Sequence, residues 1–235
     1  MLNSLGFDTI AIHVDRFYSD ISQALEKFYH IGIKNFLFVF DYDPLCDSIA
    51  ILKDNMKSFK TTYSRLPSIH IKIKCALNLH ISQGAGFNES VSRLYCNKAS
   101  KSLLVALPLF TNDNYEPIAI DINHLLYKKS SFLFFTYFDK IVESSSVEFC
   151  SKFINNPRIG LTVDINYLFN PQKDKLFYHF LSSNALIIPT LSQNLANYAG
   201  VLPSADFVLN KYGKKDYYKL CSQINKASLK IFTTP

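Results

Sequence analysis

Residues 35–40 read Asn35-Phe36-Leu37-Phe38-Val39-Phe40, five consecutive apolar side chains behind one asparagine. Successive side chains of a strand point to opposite faces, so a run without polar alternation is apolar on both. That is how a strand covered on both faces of a parallel sheet reads. Upstream, Ser19 to Ile31 reads as a helix, with Ser19 or Asp20 as N-cap and Ile21, Leu25 and Phe28 on one face. Gly32 is placed to stop that helix. Asp8 to Val14 reads as the strand before it, which completes a β-α-β unit.

The alternation runs on along the chain. Pro44 to Thr61 is expected as helix, Ile69 to Leu79 as strand, Glu89 to Lys98 as helix and Ser102 to Leu107 as strand. Pro117 to Leu126 reads as a short helix, or as a strand at Ile118 to Ile122. Phe132 to Phe138 is expected as strand, Val147 to Ile154 as helix, Arg158 to Ile165 as strand and Gln172 to Leu181 as helix. Ala185 to Pro189 is a final strand, and Pro203 to Leu209 and Asp216 to Lys226 close the chain as helices. About seven such units in 235 residues fit a TIM-like (β/α) barrel with parallel strands, a fold of typically about 250 residues. A doubly wound open sheet is the alternative that periodicity leaves standing. No composition shift marks a linker, so residues 1–235 are expected as a single domain.

Composition narrows the function classes. At 48% hydrophobic, 14% aromatic and 19% charged, the chain is no disordered polymer. It has no apolar run long enough for a membrane span and no secretory leader, so no membrane role is expected. Five widely spaced cysteines (Cys46, Cys75, Cys96, Cys150, Cys221) without a CxxC pair disfavour a disulfide framework and a structural zinc site, and point to a reducing compartment.

The net charge of +6 is unevenly spread. Residues 53–74 carry Lys53, Lys57, Lys60, Arg65, Lys72 and Lys74 against Asp54, and residues 211–230 carry Lys211, Lys214, Lys215, Lys219, Lys226 and Lys230 against Asp216. Concentrated positive charge attracts polyanions through counterion release at phosphates. A merely solvated lysine face is the plain alternative. Tyr217-Tyr218 among the lysines mixes aromatic and basic residues as RNA-binding surfaces do, although an amphipathic terminal helix gives the same pattern.

Catalytic chemistry in a parallel barrel sits at the C-terminal ends of the strands. Those ends hold His13 and Asp15, Asp41 and Asp43, Asn78 and His80, Thr136 and Tyr137, Asp164 and Asn166, and Thr190 with Ser192. His13, Asp15, Asp41 and His80 have the chemistry of a divalent-metal site. Against it, Asp15 stands where an HxH pair would have its second histidine, and Pro189-Thr190-Leu191-Ser192 ends without carboxylate or histidine. Gly84-Ala85-Gly86 lacks the Gly-Lys-Ser/Thr of a phosphate loop, and no G-x-S-x-G elbow occurs.

A basic barrel short of metal ligands resembles the 30-kDa subunit family of ribonuclease P and MRP, a degenerate member of the polymerase-and-histidinol-phosphatase barrels. The resemblance covers about residues 8–231. It is carried by His13-Val14-Asp15-Arg16 with Ser19 to Leu25, and by His30-Ile31-Gly32-Ile33 leading into Phe36 to Phe40. Asn156-Pro157-Arg158-Ile159-Gly160-Leu161-Thr162-Val163 is similar to the family's late strand. The ending is carried by Leu186-Ile187-Ile188, Pro203-Ser204-Ala205-Asp206 and Ile224-Asn225-Lys226-Ala227-Ser228. Pro189 to Asn194 departs from the family in having no basic residue nearby.

The resemblance implies a non-catalytic RNA-binding subunit, without a cofactor, that supports 5′ leader removal from precursor tRNA. Its partners would be ribonuclease P RNA, precursor tRNA and another small ribonuclease P protein subunit. It would sit in the nucleus, at the nucleolus, of a eukaryote and in the cytoplasm otherwise. Arg16, Lys72, Lys74, Arg158, Lys211, Lys214 and Lys215 are the residues expected to position the RNA backbone. Two other readings stand beside it: a metal-dependent phosphoesterase using His13, Asp15, Asp41 and His80, and a catalytically dead barrel serving as a protein scaffold.

Overall fold

The computed structural model describes residues 5–14, 21–66, 69–79, 104–108, 133–136, 159–165, 168, 181–183, 185–191 and 205–233. Their core is a parallel α/β sheet. Its strands are β1 (Thr9–His13), β2 (Asn35–Tyr42), β3 (Lys72–Leu79), β4 (Leu104–Pro108), β5 (Leu133–Thr136), β6 (Ile159–Asp164) and β7 (Leu186–Leu191). Each pairs in parallel with the next in sequence, and β1 pairs with β7 as well as with β2. The expected strands all fall within one to three residues of these bounds. The helices expected over 89–98, 117–126 and 147–154, and all but the last residue of 172–181, lie outside the described residues.

Both faces of β2 are covered, as its sequence requires. Phe36, Phe38 and Phe40 pack with Ile10, Ile12, Ile73 and Leu77 of the flanking strands beneath two helices. These are α1 (Ile21–His30) and α2 (Ile49–Tyr63). Leu37 and Val39 join Ala11, Ala76, Leu186 and Ile188 in a second cluster on the opposite face. Complete burial of each large apolar side chain stabilises by about 1.5–3 kcal/mol, so this strand is worth more than any other described segment of its length.

Helix α1 buries Ile21, Ala24, Leu25 and Phe28 at helical spacing. It ends as the sequence anticipates. Gly32, at φ 101°, lets its N–H donate to Tyr29 O (3.0 Å) while Ile33 N–H donates to Phe28 O (3.0 Å). That pair of bonds satisfies the last carbonyls in a Schellman motif, with Ile33 and Phe28 both in the core. The chain then turns directly into β2, with Lys34 and Asn35 N–H both donating to Asp8 O.

Two expectations need correction. Helix α2 starts at Ile49, not Pro44. Buried Asp43 takes the intervening residues into a turn: its Oδ1 accepts from Leu45 N–H (2.8 Å), and Asp47 Oδ2 accepts from Asp43 N–H (2.6 Å). Side-chain acceptors of this kind compete with helix formation. The last helix does not stop at Lys226. After α3 (Ala205–Tyr212), α4 runs over Lys214–Thr233, because Ala227, Ser228 and Ile231 prolong the buried stripe of Tyr217, Leu220, Cys221 and Ile224. At 1.5 Å per residue it is about 30 Å long. Its second half places Ala227 and Ile231 against Ala11, Leu37 and Val39, on the face of the sheet away from α1 and α2.

Glycine is required where α4 meets the N-terminal segment. At Gly6 (φ +73°) an added Cβ would lie 2.9 Å from Tyr217 Oη and 3.0 Å from Cys221 Sγ, whereas at Gly213 (φ +78°) it would meet nothing. Gly213→Ala is therefore expected to cost only the left-handed penalty, about 1–2 kcal/mol, and Gly6→Ala distinctly more. Urea unfolding of the two variants checks this; equal losses would mean that the contact at Gly6 is slack.

Candidate functional site

The C-terminal ends of the strands carry the candidate chemistry. His13, the last residue of β1, is buried, and its register partner is Val39, two residues before Asp41. Asp41 lies opposite Asn78 in the β2–β3 ladder, and Asn78 Nδ2 donates to Asp41 Oδ1 at 2.6 Å. Asn78 Oδ1 and Thr190 Oγ1 are buried without a hydrogen-bond partner among the described residues. Tyr42 follows Asp41, and burial first, then the negative charges of Asp47 and Asp43, holds its phenol above the usual range.

His13 and Asp41 are thus one imidazole and one carboxylate on adjacent strands. Asp15 and His80, the other two expected metal ligands, lie outside the described residues. Among the described residues no three His, Cys, Asp or Glu side chains come together as a metal-binding group. A protein-held transition metal needs about three or four such donors, and the described pair does not supply them.

The expected RNA contacts distribute over two distant places. Lys72 is exposed at the start of β3 and shares a cavity with Leu229, Phe232 and Thr233 near the end of α4. Lys211, Lys214 and Lys215 are exposed at the opposite end of α4, around the Gly213 turn, roughly 20 Å away along the helix axis. Lys74 is half-buried, and burial, followed by the positive charge of Lys60, holds its ammonium below the usual lysine range. Arg16 and Arg158 lie outside the described residues. The tyrosine pair divides between the two roles its sequence allows. Tyr217 is core, its hydroxyl donating to Leu5 O at 2.9 Å, while Tyr218 is 64% exposed beside the lysines.

At the N-terminal ends of β1, β2 and β3 lies a feature that no motif announced. Thr9 Oγ1 donates to Asp8 Oδ1 (2.9 Å), Ser228 Oγ donates to the same oxygen (3.2 Å), and Asn35 Nδ2 donates to Ser228 Oγ (3.1 Å). Thr9 Oγ1 is also within hydrogen-bond reach of Ser228 Oγ, so its single proton is shared between that oxygen and Asp8 Oδ1. This network ties the first two strands to α4 and forms part of the wall of a cavity of about 510 Å³.

No protein-family model matches the chain, and no curated protein matches it. Among solved structures, a sugar phosphate isomerase/epimerase from Parabacteroides distasonis ATCC 8503 is similar over 97% of this chain and 99% of that chain, at 10% identity and a TM-score of 0.36. A likeness at that level carries no argument about this chain.

The described thiols are buried to different degrees. Cys46 is exposed, whereas burial pushes Cys75 and Cys221 up to about 11. Thiolate is the reactive form, so in a chain with Cys96 and Cys150 replaced by serine, one thiol is expected to react rapidly with Ellman's reagent at pH 8 and three after denaturation. The linkage follows in sign. Native Cys75 and Cys221 keep protons that the unfolded chain releases, so their contribution to stability is lost as pH rises from about 9 to 11. Replacing both with alanine should flatten that part of the stability–pH curve, and an unchanged slope would count against the assignment.

Proposed function

We propose that the chain is a TIM-like (β/α) barrel of seven parallel strands, related to the polymerase-and-histidinol-phosphatase barrels, and that it serves as a non-catalytic RNA-binding subunit of ribonuclease P, with ribonuclease MRP as a second assembly. Pairing of β1 with both β2 and β7 supports the barrel. The observation that carries the RNA reading is the start of α4. There Lys211, Lys214 and Lys215 stand exposed around a tight turn, with the ring of Tyr218 in solvent beside them. Ammonium groups that follow a phosphate backbone, next to an aromatic face on which a base stacks, are the two parts of sequence-tolerant RNA binding. Lys72 stands apart from those lysines, near the other end of the same helix. The partners in this reading are the catalytic RNA, precursor tRNA and a second small protein subunit.

A metal-dependent phosphoesterase is the second reading, favoured by His13 and Asp41 on adjacent strand ends and by the unpartnered Asn78 Oδ1 beside them. Manganese-dependent hydrolysis of a phosphate ester, lost in Asp41→Asn, would establish it in place of the first.

The RNA reading is tested by native pull-down with sequencing of the bound RNA, and by filter binding to that RNA at several salt concentrations. Charge reversal at Lys211, Lys214 and Lys215 is expected to weaken binding about tenfold or more at moderate salt and to lower the salt slope by about 2–3. A pull-down without RNA, or a slope unchanged by the reversal, removes this reading and leaves a protein scaffold.

A further inference from the structure

We propose that the cavity at the N-terminal ends of β1, β2 and β3 is a binding site for a guanosine phosphate. Its wall sets two hydrogen-bond acceptors opposite a cation. Asp8 receives the Thr9 and Ser228 hydroxyls on one oxygen, Oδ1, and among the described residues no protein donor is bonded to Oδ2. Asn35, 8% exposed, spends its Nδ2 on Ser228 and Thr9, and its Oδ1 has no protein donor among the described residues. A fixed carbonyl that opens into the cavity, next to a fixed carboxylate, matches a ligand edge made of donors.

Lys72 supplies the cation. Its register partner is Asn35, and Asn35 in turn is paired with Thr9, so Lys72 and Asp8 stand on strands on either side of β2, about 10 Å apart at the backbone. The rest of the wall is mixed: Phe232 and the 64% exposed Leu229 of α4 form an apolar patch, and Asn225 and Thr233 of the same helix add polar side chains.

The chemistry of the wall narrows the ligand. A sugar phosphate is long enough, but it has no flat apolar face for Phe232. A nucleoside monophosphate has a planar base at one end and a phosphate at the other, and about 510 Å³ accommodates it. Among the bases, guanine presents an N–H and an NH₂ side by side, the donor pair that a carboxylate and an amide oxygen accept. Adenine offers an acceptor at the corresponding ring nitrogen. The guanosine comes either free or as an unstacked residue of an RNA strand; the chemistry of the site is the same for both. The proposal does not depend on the ribonuclease P reading, although Lys72 takes a phosphate in each.

Calorimetric titration of the full chain with GMP, AMP and guanosine tests it, together with a short uridine oligonucleotide carrying one guanosine and its all-uridine counterpart. GMP is expected to bind at least about tenfold more tightly than AMP, because adenine sets a ring-nitrogen acceptor against one of the two acceptors of Asp8 and Asn35. Lys72 is exposed, so Lys72→Ala keeps the fold; it should weaken GMP about tenfold and leave guanosine unchanged. If only the guanosine-bearing oligonucleotide binds, and Lys72→Ala weakens it, the guanosine is RNA-borne and the site stands. Equal affinity for GMP and AMP, guanine binding indifferent to Lys72→Ala, or no binding of either guanosine form at millimolar concentration overturns the proposal. RNA retained in the pull-down without guanine selectivity removes this site alone, and GMP binding without RNA capture removes the RNA reading alone.

Discussion

Phe36, Phe38 and Phe40 on one side of β2, and Leu37 and Val39 on the other, all have to be kept from water. Much of the described architecture follows from that double requirement. Parallel neighbours satisfy the backbone of the strand, and α1 and α2 lie over its phenylalanines. Phe59 of α2 meets the Phe38 and Phe40 rings edge-on at 4.7 and 5.5 Å, an arrangement that adds to simple area burial. The opposite face needs a separate cover, and the second half of α4 provides it with Ala227 and Ile231. Small residues on the strands, Ala11 and Ala76, leave room for that approach.

The same packing separates the two ends of the sheet. At the C-terminal ends, Asp41 is held by Asn78 beside buried His13, and the local chemistry is acceptor-rich. At the N-terminal ends, Thr9, Asn35 and Ser228 form a closed set of hydrogen bonds on Asp8, and an open cavity borders it. Helix α4 gives the second end its character, because it brings Ser228, Leu229 and Phe232 to the strand starts that carry Asp8, Asn35 and Lys72.

The strands were legible in the sequence because burial on both faces writes itself as an uninterrupted apolar run, and α1 was legible because its apolar stripe and its glycine stop agree. The start of α2 was misread because apolar spacing says nothing of Asp43, whose carboxylate organises a turn first. The end of α4 was misread because Ala227 and Ser228 look like surface residues until a sheet is placed against them. The strand-end residues His13 and Asp41 could be named from sequence. The cavity at the other end could not, since Asp8, Asn35, Lys72 and Ser228 are brought together by register and by one distant helix, with no spacing to betray them. Charge clusters in the chain likewise did not foretell that Lys72 and Lys214 stand at opposite ends of α4.

The bond between Thr9 and Ser228 spans 219 positions of the chain. During synthesis at about 5–20 residues per second, β1 is made on the order of 10 to 40 s before the helix that covers its second face. Until then the apolar side formed by Ala11, Leu37 and Val39 has no lid of its own. Completion of the core is therefore a late event in the life of the nascent chain, and the interval before it is a window in which a chaperone has a hydrophobic surface to hold.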